Sequence, residues 1–175
     1  MRELVNSTGS KIRIVVICLL GCLFFVACQK QAKITLEDVP DENMISTPTD
    51  SVVYTEEELN EESSVIAKVE VMDELSSENS LTDFSEEYGM VTRFCAVRSV
   101  RLLELYKDDG KLSVGDEFKV QESCAIYEAD GEYFQETMDE ILPLKKGETY
   151  ILYVDDGADT MSGEPGILRS SSVEK

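Results

Sequence analysis

The side chains that could carry chemistry in this chain are thiols and carboxylates. The 175 residues include five cysteines and 36 aspartates and glutamates, but no histidine and no tryptophan. Without histidine, the Ser-His and Cys-His nucleophile pairs and the commonest metal ligand are absent. Two carboxylates could still act as acid and base in a hydrolase, but so many acids form pairs by chance that we identify no catalytic residue.

Cys28 has the most informative surroundings of the five cysteines. Lys11 and Arg13 precede an uncharged, proline-free run from Ile14 to Ala27, and the chain turns polar directly after Cys28. A basic start followed by a short apolar run is typical of a secretory signal, and a membrane-spanning helix needs about 20 apolar residues. We therefore predict a signal peptide over residues 1–27 and an extracytoplasmic location.

The residues before Cys28 indicate a covalent modification. Phe25-Val26-Ala27-Cys28 resembles the lipobox of bacterial lipoproteins, with Phe25 where that family usually has leucine. Leu19-Leu20-Gly21-Cys22 also fits, but cleavage there would leave the apolar residues 23–27 at the mature terminus. The resemblance implies lipid on Cys28, with acyl chains such as palmitate, and two such chains anchor a protein stably. We expect a protein held by lipid on the outer face of the cell membrane.

The charge of the chain excludes one class of partner. Residues 1–28 hold three basic residues and one acid, so the 16 basic and 36 acidic residues of the whole chain leave 13 and 35 beyond them, a formal charge of −22. Such a surface repels the phosphates of nucleic acids and an anionic lipid leaflet. We expect no nucleic-acid partner, and contact with the membrane through the lipid on Cys28.

The segment after Cys28 differs in composition from the rest of the chain. It is polar and contains Pro40 and Pro48, which predicts a lipid-anchored disordered linker over residues 28–54. Thr55-Glu56-Glu57-Glu58 then forms a capping box, in which the Thr hydroxyl and the third Glu carboxylate satisfy amides at a helix start. This motif predicts a short helix that ends near Glu62 to Ser64.

Strand signals follow the helix. The predicted strands lie at Val65–Val71, within Met90–Tyr106, from Phe118 to Ile126, at Tyr133–Phe134, at Thr149–Val154 and at Ile167–Leu168. The apolar alternation slips between Val97 and Leu103, which predicts a β-bulge, and Asp130-Gly131 predicts a hairpin turn. Three apolar residues before the second strand are expected to cover a barrel mouth: Leu81, Phe84 and Tyr88.

These signals predict the fold class. Short strands at close spacing with one small helix are typical of a mainly β domain. We predict an OB-like barrel or sandwich of five to six strands over residues 55–175.

Cys95 and Cys124 are the cysteines left in that domain. Outside the cytoplasm such a pair can form a disulfide, and a two-residue turn at Asp109-Gly110 would place the two opposite each other. A longer loop instead places Leu105 opposite Phe118, matches apolar faces better, and separates the sulfurs by about 13 Å along a strand. Because buried faces specify register strongly, the second register and two buried free thiols are favoured, and the disulfide stays open as the alternative.

Neither a metal nor a cofactor is expected. Two cysteines without histidine do not make a tetrahedral zinc site. The acidic segment from Asp155 to Asp159 lacks the spacing of a calcium loop. It is interpreted as a turn after a strand.

Three segments of the domain resemble known bacterial domains. Residues 57–69 and 142–153 are similar to the helix-to-strand opening and the Leu-Lys-x-Gly-x-x-Tyr segment of small lipoproteins and secreted domains of Gram-positive bacteria, and residues 115–120 fit the strand between them. The arrangement also resembles the OB-like barrels of netrin-type and metalloproteinase-inhibitor-type domains. Those inhibitors depend on an N-terminal cysteine network that this chain lacks. The resemblance therefore implies a fold, without inhibition and without catalytic residues.

Together these features favour a non-enzymatic binding module at the cell envelope. Its expected partner is a protein, a peptide or a small ligand. Two alternatives remain open from the sequence, namely an envelope hydrolase that uses carboxylates, and a structural or assembly factor that the lipid concentrates at the membrane.

Overall fold

The computed structural model describes residues 32–49, 54–108, 110–139, 141–155 and 160–168. Two 3-10 turns span Leu36–Asp38 and Asp41–Asn43, and one helix, α1, spans Glu56–Glu62. The strands within the described ranges are β1 (Met44–Thr47), β2 (Val65–Val71), β3 (Ser80–Ser85), β4 (Met90–Lys107), β5 (Glu117–Glu122), β6 (Cys124–Ala129), β7 (Glu132–Met138), β8 (Thr149–Asp155) and β9 (Gly166–Ile167).

Five of these strands close into a barrel. β2 pairs antiparallel with both β4 and β8. β4 pairs with β5 and β8 pairs with β9, also antiparallel, and a parallel contact between Gln121 and Gly166 joins β5 to β9. The ring order is β2-β4-β5-β9-β8 and back to β2. The predicted mainly β fold class with one short helix is confirmed, although the described residues form more strands than expected.

The barrel interior is a cluster of small and branched apolar side chains. Alternate residues of β2 point inward, as the sequence pattern predicts. The buried members of the cluster are Ala67, Val69, Val71, Val100, Leu102, Val120, Leu152 and Val154. The final predicted strand, at Ile167–Leu168, corresponds to β9 at Gly166–Ile167, which lies between β8 and β5.

Bulges bend β4, the longest strand of the fold. Lys68 of β2 lies opposite Glu104 and Val69 lies opposite Leu102, so Leu103 is an extra residue in β4. This bulge lies at the end of the range in which the sequence predicts a slip. It explains why Leu102 and Leu105, an odd number of residues apart, both face the barrel core.

The register between β4 and β5 differs from both of the predicted ones. Phe118 lies opposite Val100, and Val120 lies opposite Arg98. The pairing of Phe118 with Leu105 is therefore wrong. The register predicted by pairing apolar faces is wrong because Arg98 occupies an inward position in β4. The inward face of this strand is therefore not wholly apolar.

The predicted strand from Phe118 to Ile126 is two strands in the structure. The chain bends at Ser123, and β6 leaves the barrel to join a second sheet, of order β1-β7-β6. Asp130 and Gly131 form the predicted hairpin turn between β6 and β7, both with positive φ.

Residues 33–49 are part of the folded body. β1 pairs in parallel with β7 over four residues, and Thr35 bridges to Ser76. Three apolar residues of this segment pack beside β4 and β6, namely Ile34, Leu36 and Val39. The prediction of a disordered linker is therefore wrong for residues 33–49. A few apolar side chains are enough to order this segment, because they pack against the core beside β6.

Helix α1 begins as the sequence predicts. The Thr55 hydroxyl accepts a hydrogen bond from the Glu58 amide, and the Glu58 carboxylate accepts one from the Thr55 amide at 2.8 Å. The bond from the Thr55 amide is the main reason that the pKa of Glu58 lies below its ordinary value. The helix ends at Glu62, and Lys107 donates to the carbonyls of Asn60 and Glu61 at this end.

Candidate binding surface

A long hairpin projects from the barrel and carries four exposed large apolar residues. Residues 90–95 of β4 pair with β3 and, in the described part of the chain, with no other strand. We call residues 81–94, which are β3, its turn and the start of β4, the ribbon. Because only two strands build it, both of its faces meet solvent, and every residue from Glu86 to Met90 is exposed.

Large apolar side chains are concentrated on the ribbon. Phe84 is 60% exposed, Tyr88 is 68% exposed and Met90 is 58% exposed, and Leu81 is also exposed. The sequence predicts that Leu81, Phe84 and Tyr88 cover a barrel mouth, and this is wrong, since they point into solvent. Buried apolar area stabilises a fold by about 25 cal/mol per Å², so several apolar side chains that forgo it on one hairpin suggest an interaction site.

The base of the ribbon is rigid. Phe94 and Ala96 are buried. Asn79 accepts a bond from the Ser76 amide through its side chain, and its backbone carbonyl accepts one from the Val97 amide at 2.8 Å. The exposed part therefore extends from a well-packed foundation.

Below the ribbon lies a fully buried arginine. The Arg98 guanidinium is 0% exposed. It donates to Asp73 Oδ1 at 3.1 Å and to Glu122 Oε2 at 2.6 Å. It also donates to the backbone carbonyls of Asp73 and Leu144. A buried charge is tolerated only when it is paired and hydrogen-bonded in this way.

The two acids of this cluster have their oxygens occupied. Glu122 Oε1 accepts the Leu144 amide at 2.6 Å, and Asp73 Oδ2 accepts the Ser99 amide at 3.1 Å. An acid or base in catalysis needs an oxygen that can reach a substrate. Their geometry suits a structural junction that ties β4, β5 and two loops together.

A second buried acid, Glu136, lies in the smaller sheet. Its carboxylate accepts hydrogen bonds from the hydroxyls of Tyr127, at 2.8 Å, and Thr47, at 2.5 Å. Burial, and then the bond to Glu136, raise the pKa of Tyr127 above its ordinary value. The Tyr127 ring also stacks on Phe134 with centroids 5.8 Å apart. These contacts pack the smaller sheet internally.

Cys95 and Cys124 are both free and both buried. Cys124 packs in the same cluster as Ala96, whereas Cys95 is the neighbour of Ala96 in β4 and points to the other face. Burial raises the pKa of Cys95 to about 11 and that of Cys124 well above its ordinary value. The two cysteines belong to different strands, Cys95 to β4 and Cys124 to β6, and no disulfide joins them.

Three depressions of the described residues lie away from the ribbon. One, of about 500 Å³, lies on the outer barrel wall between Ile66, Tyr106 and Tyr153, and a second, of about 450 Å³, is lined by polar residues that include Glu42 and Glu132. The third, of about 210 Å³, lies near Phe118 and Pro165 and also has charged residues in its lining. All three are largely open to solvent, whereas a small-molecule site usually encloses most of its ligand.

Cys28, the predicted modification site, lies outside the described residues, and so do Phe25, Val26 and Ala27. In the described ranges, no helix has the length and apolar character needed to cross a bilayer. Among the same residues, no three acids or cysteines are grouped so that they could bind a metal ion.

Sequence reasoning missed the ribbon as a surface and the Arg98 junction. A basic residue within the apolar run of β4 was a signal for the junction.

No family model matches this chain, and neither a curated protein nor a solved structure shows significant similarity to it. The ribbon's exposed apolar side chains are therefore the principal structural indication of a function.

Proposed function

We propose that this chain is an extracytoplasmic lipoprotein, anchored through lipid on Cys28, whose folded body is a non-enzymatic module that binds a partner protein through the ribbon. The observation that carries the proposal is the grouping of Phe84, Tyr88 and Met90, each more than half exposed, on one hairpin. A soluble domain gains nothing in stability from such a group, whereas a binding partner would bury it.

The anchor is supported by the sequence from Lys11 to Cys28. A basic start, an apolar run too short to span a bilayer and a cysteine at the cleavage position are the three parts of the pattern.

The barrel topology supports the resemblance to OB-like domains. The ring holds five strands, and it contains the parallel pair of β5 and β9. OB-folds commonly bind through the loop between the first two barrel strands and through a face of the barrel. The ribbon occupies that loop here, between β2 and the paired part of β4. This is an analogy of fold, and the exposed side chains carry the proposal independently of it.

Lipid attachment is tested by metabolic labelling with a fatty acid. We expect label in the full chain and in Cys22→Ser, and no label in Cys28→Ser, which should also leave the membrane fraction. Label that persists in Cys28→Ser would disprove the anchor.

Partner binding is tested by photo-crosslinking in intact cells. A benzophenone amino acid replaces Tyr88 in one version of the full chain and Val114 in another. Val114 is a matched control, because it is apolar and 67% exposed but lies in the loop before β5. We expect a discrete protein adduct from position 88 alone, lost when Phe84→Ser is added. Equal adducts from both positions, or none from position 88, would exclude the ribbon as the binding surface.

A further inference from the structure

The free edge of the ribbon offers backbone groups as well as side chains. β3 is the last strand of its sheet. On its outer side Ser80 contacts β6, where its hydroxyl accepts the Ile126 amide at 2.8 Å. From Thr82 onward the residues of β3 are exposed or half-buried. An exposed strand edge is a template on which another extended chain can pair.

The register shows which amides face that edge. The Val97 amide donates to the Asn79 carbonyl, so this pair is a hydrogen-bonded one. Such pairs alternate along an antiparallel ladder, and Asp83, opposite Arg93, belongs to the same set. The register shifts between Asp83 and Phe84 because Thr92 is an extra residue in β4, while β3 has no extra residue and keeps its alternation. The N–H and C=O groups of Thr82 and Phe84 therefore point outward, away from β4.

The charges beside this edge are mainly negative. Asp83, Glu86 and Glu87 lie on the ribbon with a single basic residue, Arg93, whose guanidinium is 3.8 Å from Asp83. Side chains of an added strand alternate between the two faces of the sheet. One face of the edge presents Phe84, and the other presents Asp83.

We propose that β3 binds an extended segment of a partner protein by strand addition, and that this segment alternates apolar and basic residues. Its apolar side chains lie beside Phe84, and its lysines or arginines lie beside Asp83 and the acids of the turn. Backbone hydrogen bonds to Thr82 and Phe84 supply register, as in other cases of strand addition. The inference rests on the proposed function in one respect, namely that the ribbon is the binding surface.

Charge favours a basic peptide over two other molecules that could occupy this edge, a second copy of the chain and an anionic lipid surface. A second copy of the chain would bring the same acids against Asp83, Glu86 and Glu87, and the formal charge of the whole chain is −20. An anionic lipid surface would meet the same repulsion. A basic, extended peptide is attracted by the acids and also satisfies the free backbone groups.

The test measures binding of a fluorescent eight-residue peptide of alternating valine and lysine to the full chain in detergent. Three comparison peptides are used: valine alternating with glutamate, four lysines followed by four valines, and the first peptide with alternate amides methylated. We expect the valine–lysine peptide to bind at least ten times more tightly than each comparison peptide. Equal affinity for the block or methylated peptide would reduce the interaction to general charge attraction and would overturn strand addition.

Binding of the same peptide to variants of the protein gives a second test of strand addition. Thr82→Pro removes an amide that faces the open edge, a position at which edge strands tolerate proline, and it should weaken binding at least tenfold. Val114→Ser serves as the control and should leave the affinity unchanged. A Thr82→Pro protein that unfolds at the wild-type urea concentration and binds as before would contradict the proposal.

Other results separate the two proposals. If the peptide fails to bind while the crosslink from position 88 persists, strand addition is wrong and the ribbon remains the binding surface. If the full chain instead binds anionic vesicles in a Phe84-dependent way beyond its lipid anchor, both proposals are wrong. Ribbon-dependent self-association, measured by analytical ultracentrifugation, would also overturn the choice of a basic peptide.

Discussion

The two halves of β4 lie in opposite surroundings. From Phe94 to Leu102 the inward residues are buried, and even the guanidinium of Arg98 is fully hydrogen-bonded. From Met90 to Arg93 the same strand belongs to the ribbon and is largely exposed. One continuous strand therefore combines a region in which every charge is paired with a region in which apolar side chains meet water.

The difference indicates what each half is for. The buried half closes the barrel and joins it to the smaller sheet. Its side chains pack in the core and have their polar groups hydrogen-bonded. The exposed half contributes little to that core. Changes in the first half should therefore alter stability, and changes in the second should alter binding alone.

The largest loss of stability is expected from Arg98→Met. This change leaves the carboxylates of Glu122 and Asp73 without their cationic partner, and removing one member of a buried ion pair costs about 3–5 kcal/mol. Urea unfolding followed by circular dichroism measures the loss. Arg101→Met is the control on the same strand, because its partners Glu70 and Glu117 are partly exposed, and it should lower the urea midpoint far less. Similar losses in both variants would contradict the role of the junction.

The second prediction concerns the two buried thiols, Cys95 in β4 and Cys124 in β6. Burial raises the pKa of Cys95 to about 11, against an ordinary value of 9.0, so the thiolate fraction at neutral pH falls on the order of 100-fold. Alkylation of the native protein should be at least that much slower than alkylation in denaturant. Cys95 also favours folding below pH 9, and this contribution declines as the pH rises from 9 toward 11.

Thiol counting also tests the disulfide alternative. Two free thiols per chain should be found in non-reducing denaturant in addition to any in the signal region. A count of none for Cys95 and Cys124 would mean that the strand faces are not arranged as described.

A smaller effect is expected at the helix cap. Thr55→Ala removes the hydroxyl that accepts the Glu58 amide, and loss of such a cap costs about 1 kcal/mol. Because the pKa of Glu58 is lowered from 4.5, the carboxylate's contribution is present above that pH and is lost as the pH falls through the folded value. The wild-type advantage in urea unfolding should therefore shrink in acid, and an advantage that grows there would contradict the capping geometry.

The smallest effect on stability is expected on the ribbon. Phe84→Ser replaces an exposed ring, and surface substitutions usually change stability by less than about 0.5 kcal/mol. The urea midpoint should stay at the wild-type value while crosslinking from position 88 is lost. Leu102→Ala, at a buried position of the same strand, should instead cost about 2–5 kcal/mol. A Phe84→Ser protein that is as unstable as Leu102→Ala would show that the ribbon is part of the core.

Local patterns predicted the elements of the fold well. The capping box at Thr55, the alternation in β2, the bulge at Leu103 and the turn at Asp130-Gly131 each depend on neighbours in sequence. Each of these features is specified within about ten residues, so a single sequence is enough to find it.

The remaining features depend on contacts between distant parts of the chain. The register of β5 could not be inferred from apolar faces, because Arg98 is accommodated by Asp73 and Glu122 from two other elements. Residues 33–49 have the composition of a linker and fold only against β7 and the core beside β6. The ribbon could not be identified either, since exposed and buried apolar residues look alike until the fold places them.

The position of Ile34 has a mechanical consequence. Ile34 and Ser77 exchange two hydrogen bonds, of 3.1 and 2.9 Å, only a few residues before β3 begins. A force applied at Ile34 would therefore reach the start of β3 through this short connection.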